Sequence, residues 1–215
     1  MRVCLSGNGQ GELAAAIRLA MALASSRYGF IDDGPLRQTT ANPESADVAI
    51  CTTGRMRIND PNELTWPDAQ DQIESNFTLP FAFTERHIAA MIRDGRHGLI
   101  LHLGSNAAWY GNVGAELYAA GKTALRKYLE LRARAAKAHG IRISLLGFGG
   151  VSTTGFWEKA VDGATAVGRD LAKSIVAGDR APLTPQEVAL VVLHTIELPA
   201  NVCVKDALIT SVHYQ

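Results

Sequence analysis

An excess of either charge is missing from this sequence: 21 Lys and Arg stand against 21 Asp and Glu, for a formal net charge of zero. Without a strong global field or a run of like charges, neither nucleic acid nor an acidic membrane surface is expected as a partner. Long apolar runs are missing too. No stretch approaches the roughly 20 residues a membrane helix needs, so no spanning segment is expected. The stretch most like a leader, Ala20 to Ser26, follows a glycine-rich turn and is broken upstream by Glu12 and Arg18, so it reads as an internal helix rather than a signal peptide.

Cysteine is scarce. Cys4, Cys51 and Cys203 lie far apart, each in an apolar stretch that reads as a strand, with no metal-ligand spacing among them. That excludes a disulfide framework and points to buried free thiols in a reducing compartment, hence a cytoplasmic protein. The six histidines are scattered, with no i, i+4 pair of the kind a helical zinc site uses, and no metal is expected.

What is present is apolar periodicity enough for one globular domain over residues 1–215. An apolar run at 2–6 feeds the glycine turn "SGNGQG". Then Leu13, Ala16, Ile17, Ala20 and Ala24 recur at helical spacing: strand, glycines, helix, the opening of a βαβ unit. Further strands are predicted at "YGFIDD", "DVAICTTG", "LILHLGS", "IRISLLGFGG" and "NVCVKDALITS". Helices are predicted over about 69–93, 113–138 and 157–177, and from Thr184, where Pro185 and Glu187 complete a capping box. Segments 35–46 and 59–68 read as loops. Alternating strands and helices imply an α/β fold: a Rossmann-like, doubly wound parallel sheet in three α/β/α layers.

In such sheets ligands bind beyond the carboxyl ends of the strands. Those ends carry small residues here: Ser6 to Gly11, Thr52 to Gly54, Gly104-Ser105 and Gly147 to Thr153. On the helix after Ser105 stands Tyr118-Ala-Ala-Gly-Lys122, a phenol and an ammonium one turn apart. A ketone that accepts a hydride also needs a proton. A phenol with a pKa of about 10 becomes useful near neutrality only if a cation favours its ionised form.

Ser105 followed thirteen residues later by this Tyr-x-x-x-Lys resembles the short-chain dehydrogenase/reductase family, a nicotinamide-dependent Rossmann group. Other segments agree in order. "SNFTLPF" resembles the helix carrying the family's asparagine, with Asn76 in its place. "DVAICTTG" resembles the strand that usually ends Asn-Asn-Ala-Gly. "IRISLLGFGGVSTTGF" resembles the strand and loop that usually carry Pro-Gly and a later Thr. "SGNGQGEL" matches the family's glycine turn at Ser6, Gly7 and Gly11.

The resemblance implies an oxidoreductase that interconverts a carbonyl and a secondary alcohol. Tyr118 would be the acid/base. Lys122 would lower its pKa and bind the cofactor ribose, and Ser105 would hold the substrate oxygen. Pro80 lies four residues after Asn76 and offers no N–H to the Asn76 carbonyl, so a kink is predicted there; the freed carbonyl would hold a water leading protons to Lys122. The cofactor would lie along Ser6, Gly7, Gly11, Thr53, Gly54, Tyr118, Lys122, Gly149, Val151 and Thr153. Asp32 and Asp33, at the usual distance beyond the turn for an acid that binds the adenosine ribose, favour NAD over NADP, although Arg27 and Arg37 are placed to meet a 2′-phosphate.

Two departures stand out. Leu13 replaces the third glycine, and the chain from Gly11 to Gly54 is short for the family, which implies a trimmed nucleotide half. They motivate an alternative: a catalytically silent dinucleotide-binding regulator or scaffold. Trp109 and Phe148, with Phe156 and Trp157, are candidates for an apolar substrate pocket, each with a core role as the alternative. The family habit of pairing its two long helices across a two-fold axis implies a homodimer or homotetramer.

Overall fold

The computed structural model describes residues 1–6, 11–25, 28–32, 43, 45–178 and 181–213. Six strands form one parallel sheet in the order β2-β1-β3-β4-β5-β6. They are β1 (Arg2–Leu5), β2 (Gly29–Asp32), β3 (Val48–Cys51), β4 (Leu99–Ser105), β5 (Arg142–Phe148) and β6 (Asp206–Ile209). The helices are α1 (Glu12–Ala24), α2 (Trp66–Ile73), α3 (Leu79–Arg93), α4 (Glu116–Ala136), α5 (Thr154–Ala160), α6 (Ala166–Gly178) and α7 (Pro185–Glu197).

Strand alternation sorts the core into two layers. Val3, Leu5, Val48, Ile50, Leu99, Leu101, Leu146 and Phe148 face α1 and α7. Cys4, Ala49, Cys51, Ile100, Ile143 and Leu145 face the other way, against Phe83, Ile88 and Met91 of α3 and Leu125 and Leu129 of α4. Both faces are covered, which is why these strands read as continuous apolar runs. A third cluster caps the carboxyl end of the sheet: Met56, Ile58, Ala115 and Tyr118 pack with Ala160, Phe156 and Trp157 of α5 and Ala172 of α6.

β1 connects to its neighbour β2 on one side and β3 to β4 on the other, so the order reverses between β1 and β3. That crevice is where an open α/β sheet takes a ligand. Ser6 closes its floor. It is fully buried, accepts from the Thr52 N–H at 2.9 Å, bonds the Thr53 hydroxyl at 3.1 Å, and donates its own N–H to the Ile50 carbonyl at 2.9 Å.

Several boundaries differ from expectation for local reasons. The helix predicted from 69 begins at Trp66, because Thr65 and Asp68 form a reciprocal capping box with Pro67 in the first turn. That helix is also not continuous: a π-helical turn, Glu74–Thr78, separates α2 from α3. The helix predicted over 157–177 is two helices, parted at Gly163 with φ +70°. Cys203 lies ahead of β6 rather than in it, half-buried, while Cys4 and Cys51 are buried; all three are free thiols. Most of the 35–46 loop lies outside the described residues. The α7 capping box at Thr184 and Glu187 is as predicted.

Candidate active site

The carboxyl ends of β3 and β4 and the first turns of α4 converge on one place. Tyr118 and Lys122 are both buried there, 6% and 5% exposed, with the Lys122 Nζ 5.6 Å from the centroid of the Tyr118 ring. One helical turn sets the pair, and Gly121 between them lets α4 approach the π-turn: a Cβ at Gly121 would stand 2.9 Å from the Asn76 Cβ. Ser105 ends β4, near enough to the Tyr118 phenol to hold its pKa down, and its hydroxyl donates to the Asn106 Oδ1 at 3.1 Å. Its Oγ also accepts from the Ala107 N–H at 3.2 Å, capping the short 3-10 turn Asn106–Ala108.

Asn76 sits in the π-turn, fully buried. The turn is defined by the Leu79 N–H reaching the Glu74 carbonyl, five residues back. It falls just before Pro80, the residue predicted to break the ladder. The carboxamide clamps the chain leaving β3: Nδ2 donates to the Arg55 carbonyl at 2.8 Å and to the Gln72 carbonyl at 3.0 Å, and Oδ1 accepts from the Arg55 N–H at 3.2 Å. This two-point grip holds Gly54 against the site. With φ +156°, Gly54 suits no other residue well, and a Cβ there would run into the Lys122 Nζ and stand 3.0 Å from the Asn76 Oδ1.

The expected lowering of the Tyr118 pKa needs Lys122 and the positive nicotinamide together. In the chain alone burial wins and pushes the phenol up to about 12, opposed by Ser105. The lysine lies over the ring face. Burial in turn drives Lys122 down to about 8, opposed by the nearby Cys51 thiol. The free site thus holds a neutral phenol beside an ammonium close to its own titration point.

The remaining predicted residues divide. Thr53 and Gly54 line the end of β3. Gly149 donates its N–H to the Ile209 carbonyl, Val151 forms a bridge with Leu183, and Thr153 precedes α5. Gly11 opens α1, exposed. Gly7, Asp33, Arg27 and Arg37 lie outside the described residues, as does the side chain of Asp32, whose backbone ends β2. Leu13, in the place of the third glycine, packs on the α1/α7 core.

Two pocket candidates are corrected. Phe148 is the register partner of Ser105, but strand alternation sends its side chain into the α1/α7 core. The Trp109 ring lies against Gly147, where a Cβ would collide with it, and the Arg126 guanidinium stacks on it at 4.4 Å. It thus packs between β5 and α4. Phe156 and Trp157 do share the Tyr118 cluster. Gln72, Gly121 and Arg55, which hold Asn76, escaped the sequence reading, and only the small residue inside "YAAGK" hinted at a close helix approach there.

A six-stranded parallel sheet with this crevice defines a Rossmann-like α/β protein. Comparison with known proteins narrows the class. The profile of the short chain dehydrogenase family matches residues 36–164. The chain belongs to that family. It is 28% identical over 118 residues to the 3-oxoacyl-(acyl-carrier-protein) reductase FabG of Escherichia coli (strain K12), and to the same extent to that of Shigella flexneri. The match covers 55% of this chain and 48% of each reductase, so the chain spans about half the length of the curated relatives it matches. Among solved structures, the closed form of a serine dehydrogenase complexed with NADP+ superposes with a TM-score of 0.73 at 19% identity, over 97% of this chain and 94% of that one. At that identity the likeness speaks for the fold.

Proposed function

We propose that this chain is an NAD(P)-dependent oxidoreductase that interconverts a carbonyl and a secondary alcohol. The observation that carries the reading is the buried Tyr118–Lys122 pair on one helical turn, beside the end of the strand that presents Ser105.

The residues present suit a nicotinamide dinucleotide. Bare backbone at Gly54 leaves room beside Lys122 that any side chain would fill, and a buried ammonium suits the diol of a ribose. Gly11, Thr53, Gly54, Tyr118, Lys122, Gly149, Val151 and Thr153 would hold it, with Ser6 shaping the crevice floor. When bound, the cofactor supplies or takes the hydride. Ser105 donates to the substrate oxygen and keeps it in reach of the phenol. Tyr118, protonated in the free chain, gives its proton to the oxygen as the carbonyl becomes an alcohol, and takes one back in the opposite direction. Lys122 stabilises the phenolate left behind, and a water on the Asn76 carbonyl returns the proton through Lys122. Asp32 and Asp33 favour NAD over NADP.

The substrate is a small carbonyl or alcohol, and the setting is cytoplasmic. A homodimer or homotetramer would form through α3 and α4, where Phe81 and Tyr128 make an aromatic cluster with Phe77 of the π-turn and Phe81 is 39% exposed. One observation favours a second reading, a silent dinucleotide-binding scaffold: the α5–α6 cluster covers Tyr118. Nicotinamide absorbance followed against a carbonyl panel separates the two. Turnover that Tyr118→Phe abolishes supports the enzyme; cofactor binding with no turnover across the panel supports the scaffold.

A further inference from the structure

Behind Lys122 a second polar chain runs through the core. His102 lies in β4, three residues before Ser105, and is 1% exposed. Its Nε2 is 2.9 Å from the hydroxyl of Thr84, which is fully buried in α3. The Thr84 hydroxyl donates to the Pro80 carbonyl at 2.8 Å. A hydroxyl has one proton, so toward His102 the Thr84 oxygen accepts, and the imidazole carries its proton on Nε2. Burial, with the positive charge of Lys122 on α4 and then His87 on α3, holds His102 down at about 3 and therefore neutral. Phe83 closes the ring edge-on at 6.1 Å.

The chain ties two pieces of the site together. Pro80 stands in the first turn of α3, directly after the π-turn that carries Asn76. His102 stands about 10 Å along β4 from Ser105, at roughly 3.3 Å per residue. A buried donor and acceptor in a dry core bond with fixed geometry, and losing either leaves the other unsatisfied.

We propose that His102 is a positioning residue: through Thr84 it fastens the start of α3, and with it the Asn76 turn, to the strand that presents Ser105. An apolar residue here would pack as well but would leave the turn free to shift against the strand. The structural claim stands without the proposed activity; only the kinetic expectation rests on it.

The test compares His102→Gln, which keeps an N–H near the Nε2 position, with His102→Leu, which does not, and with Thr84→Val. Nitrogen-resolved NMR of the wild-type imidazole is expected to show a neutral ring protonated on Nε2. The amide resonances of Asn76 and Arg55 should shift in His102→Leu and Thr84→Val and return toward wild type in His102→Gln. With a turned-over carbonyl, kcat should fall roughly 10- to 100-fold in His102→Leu, with cofactor affinity little changed, and recover in His102→Gln. A ring protonated on Nδ1, Asn76 and Arg55 amides unmoved in His102→Leu, or a Gln variant no closer to wild type than Leu would overturn the proposal. If the wild-type chain turns over no carbonyl, the proposed activity fails, while the tautomer and the amide shifts still decide the role of His102.

Discussion

Tyr118 and Lys122 are 6% and 5% exposed, so solvent screens neither. Spacing places a cation one turn from a phenol, which argues for a lowered pKa. The fold buries both, and in the chain alone desolvation raises the phenol, opposed by Ser105. An ultraviolet titration of wild type against Tyr118→Phe should find no Tyr118 phenolate up to pH about 10 in the free chain. Lys122 titrates earlier: with its pKa brought down to about 8, kcat/KM for carbonyl reduction should fall as pH rises through that value. Gly54 carries a harder constraint. Gly54→Ala adds a Cβ at φ +156° against Lys122 and Asn76, and chemical denaturation should register a loss of about 1–3 kcal/mol.

At the scale of elements, the strands were the most legible part of the chain, because strands buried on both faces are uninterrupted apolar runs. The π-turn was half legible. Pro80 signals a break in the ladder four residues earlier, but whether the helix kinks or widens depends on what it packs against. Here Gly121 lets α4 come close, and Asn76 fills the space. Pro80→Ala restores an N–H for the Asn76 carbonyl. It should draw the turn toward regular α-helix, seen as altered amide exchange over 74–80 and a lower kcat. The α7 capping box was legible in full, because Thr184, Pro185 and Glu187 act on their own backbone. Thr184→Ala should cost about 1 kcal/mol in a denaturation experiment. Trp109 and Phe148 were misread for the opposite reason. Residue type marks them as aromatic near a strand end, but their direction follows from strand alternation and from the gap above Gly147.

Across the whole molecule, the family's parallel sheet is present, and β2 is the last strand on its side among the described residues. The charge balance hides two buried bases, each of which makes the fold more stable as pH rises, in two separate windows. His102 is held at about 3 in the fold against 6.5 when free, so the unfolded chain binds the extra proton and stability falls as pH drops from about 6.5 toward 3. Lys122 is depressed from 10.5 to about 8, so its burial penalty is relieved as pH climbs through that window. Denaturation midpoints across pH should show both limbs, and His102→Gln should flatten the acid one.

The most direct test of the central claim is a nicotinamide absorbance assay with a carbonyl panel, on wild type and Tyr118→Phe together with their cofactor affinities. Turnover is expected in the wild type, with a loss of about 10²–10⁴-fold in the variant and nearly equal cofactor binding in both. Full activity in Tyr118→Phe, or a wild-type chain that binds neither NAD(H) nor NADP(H), would contradict it.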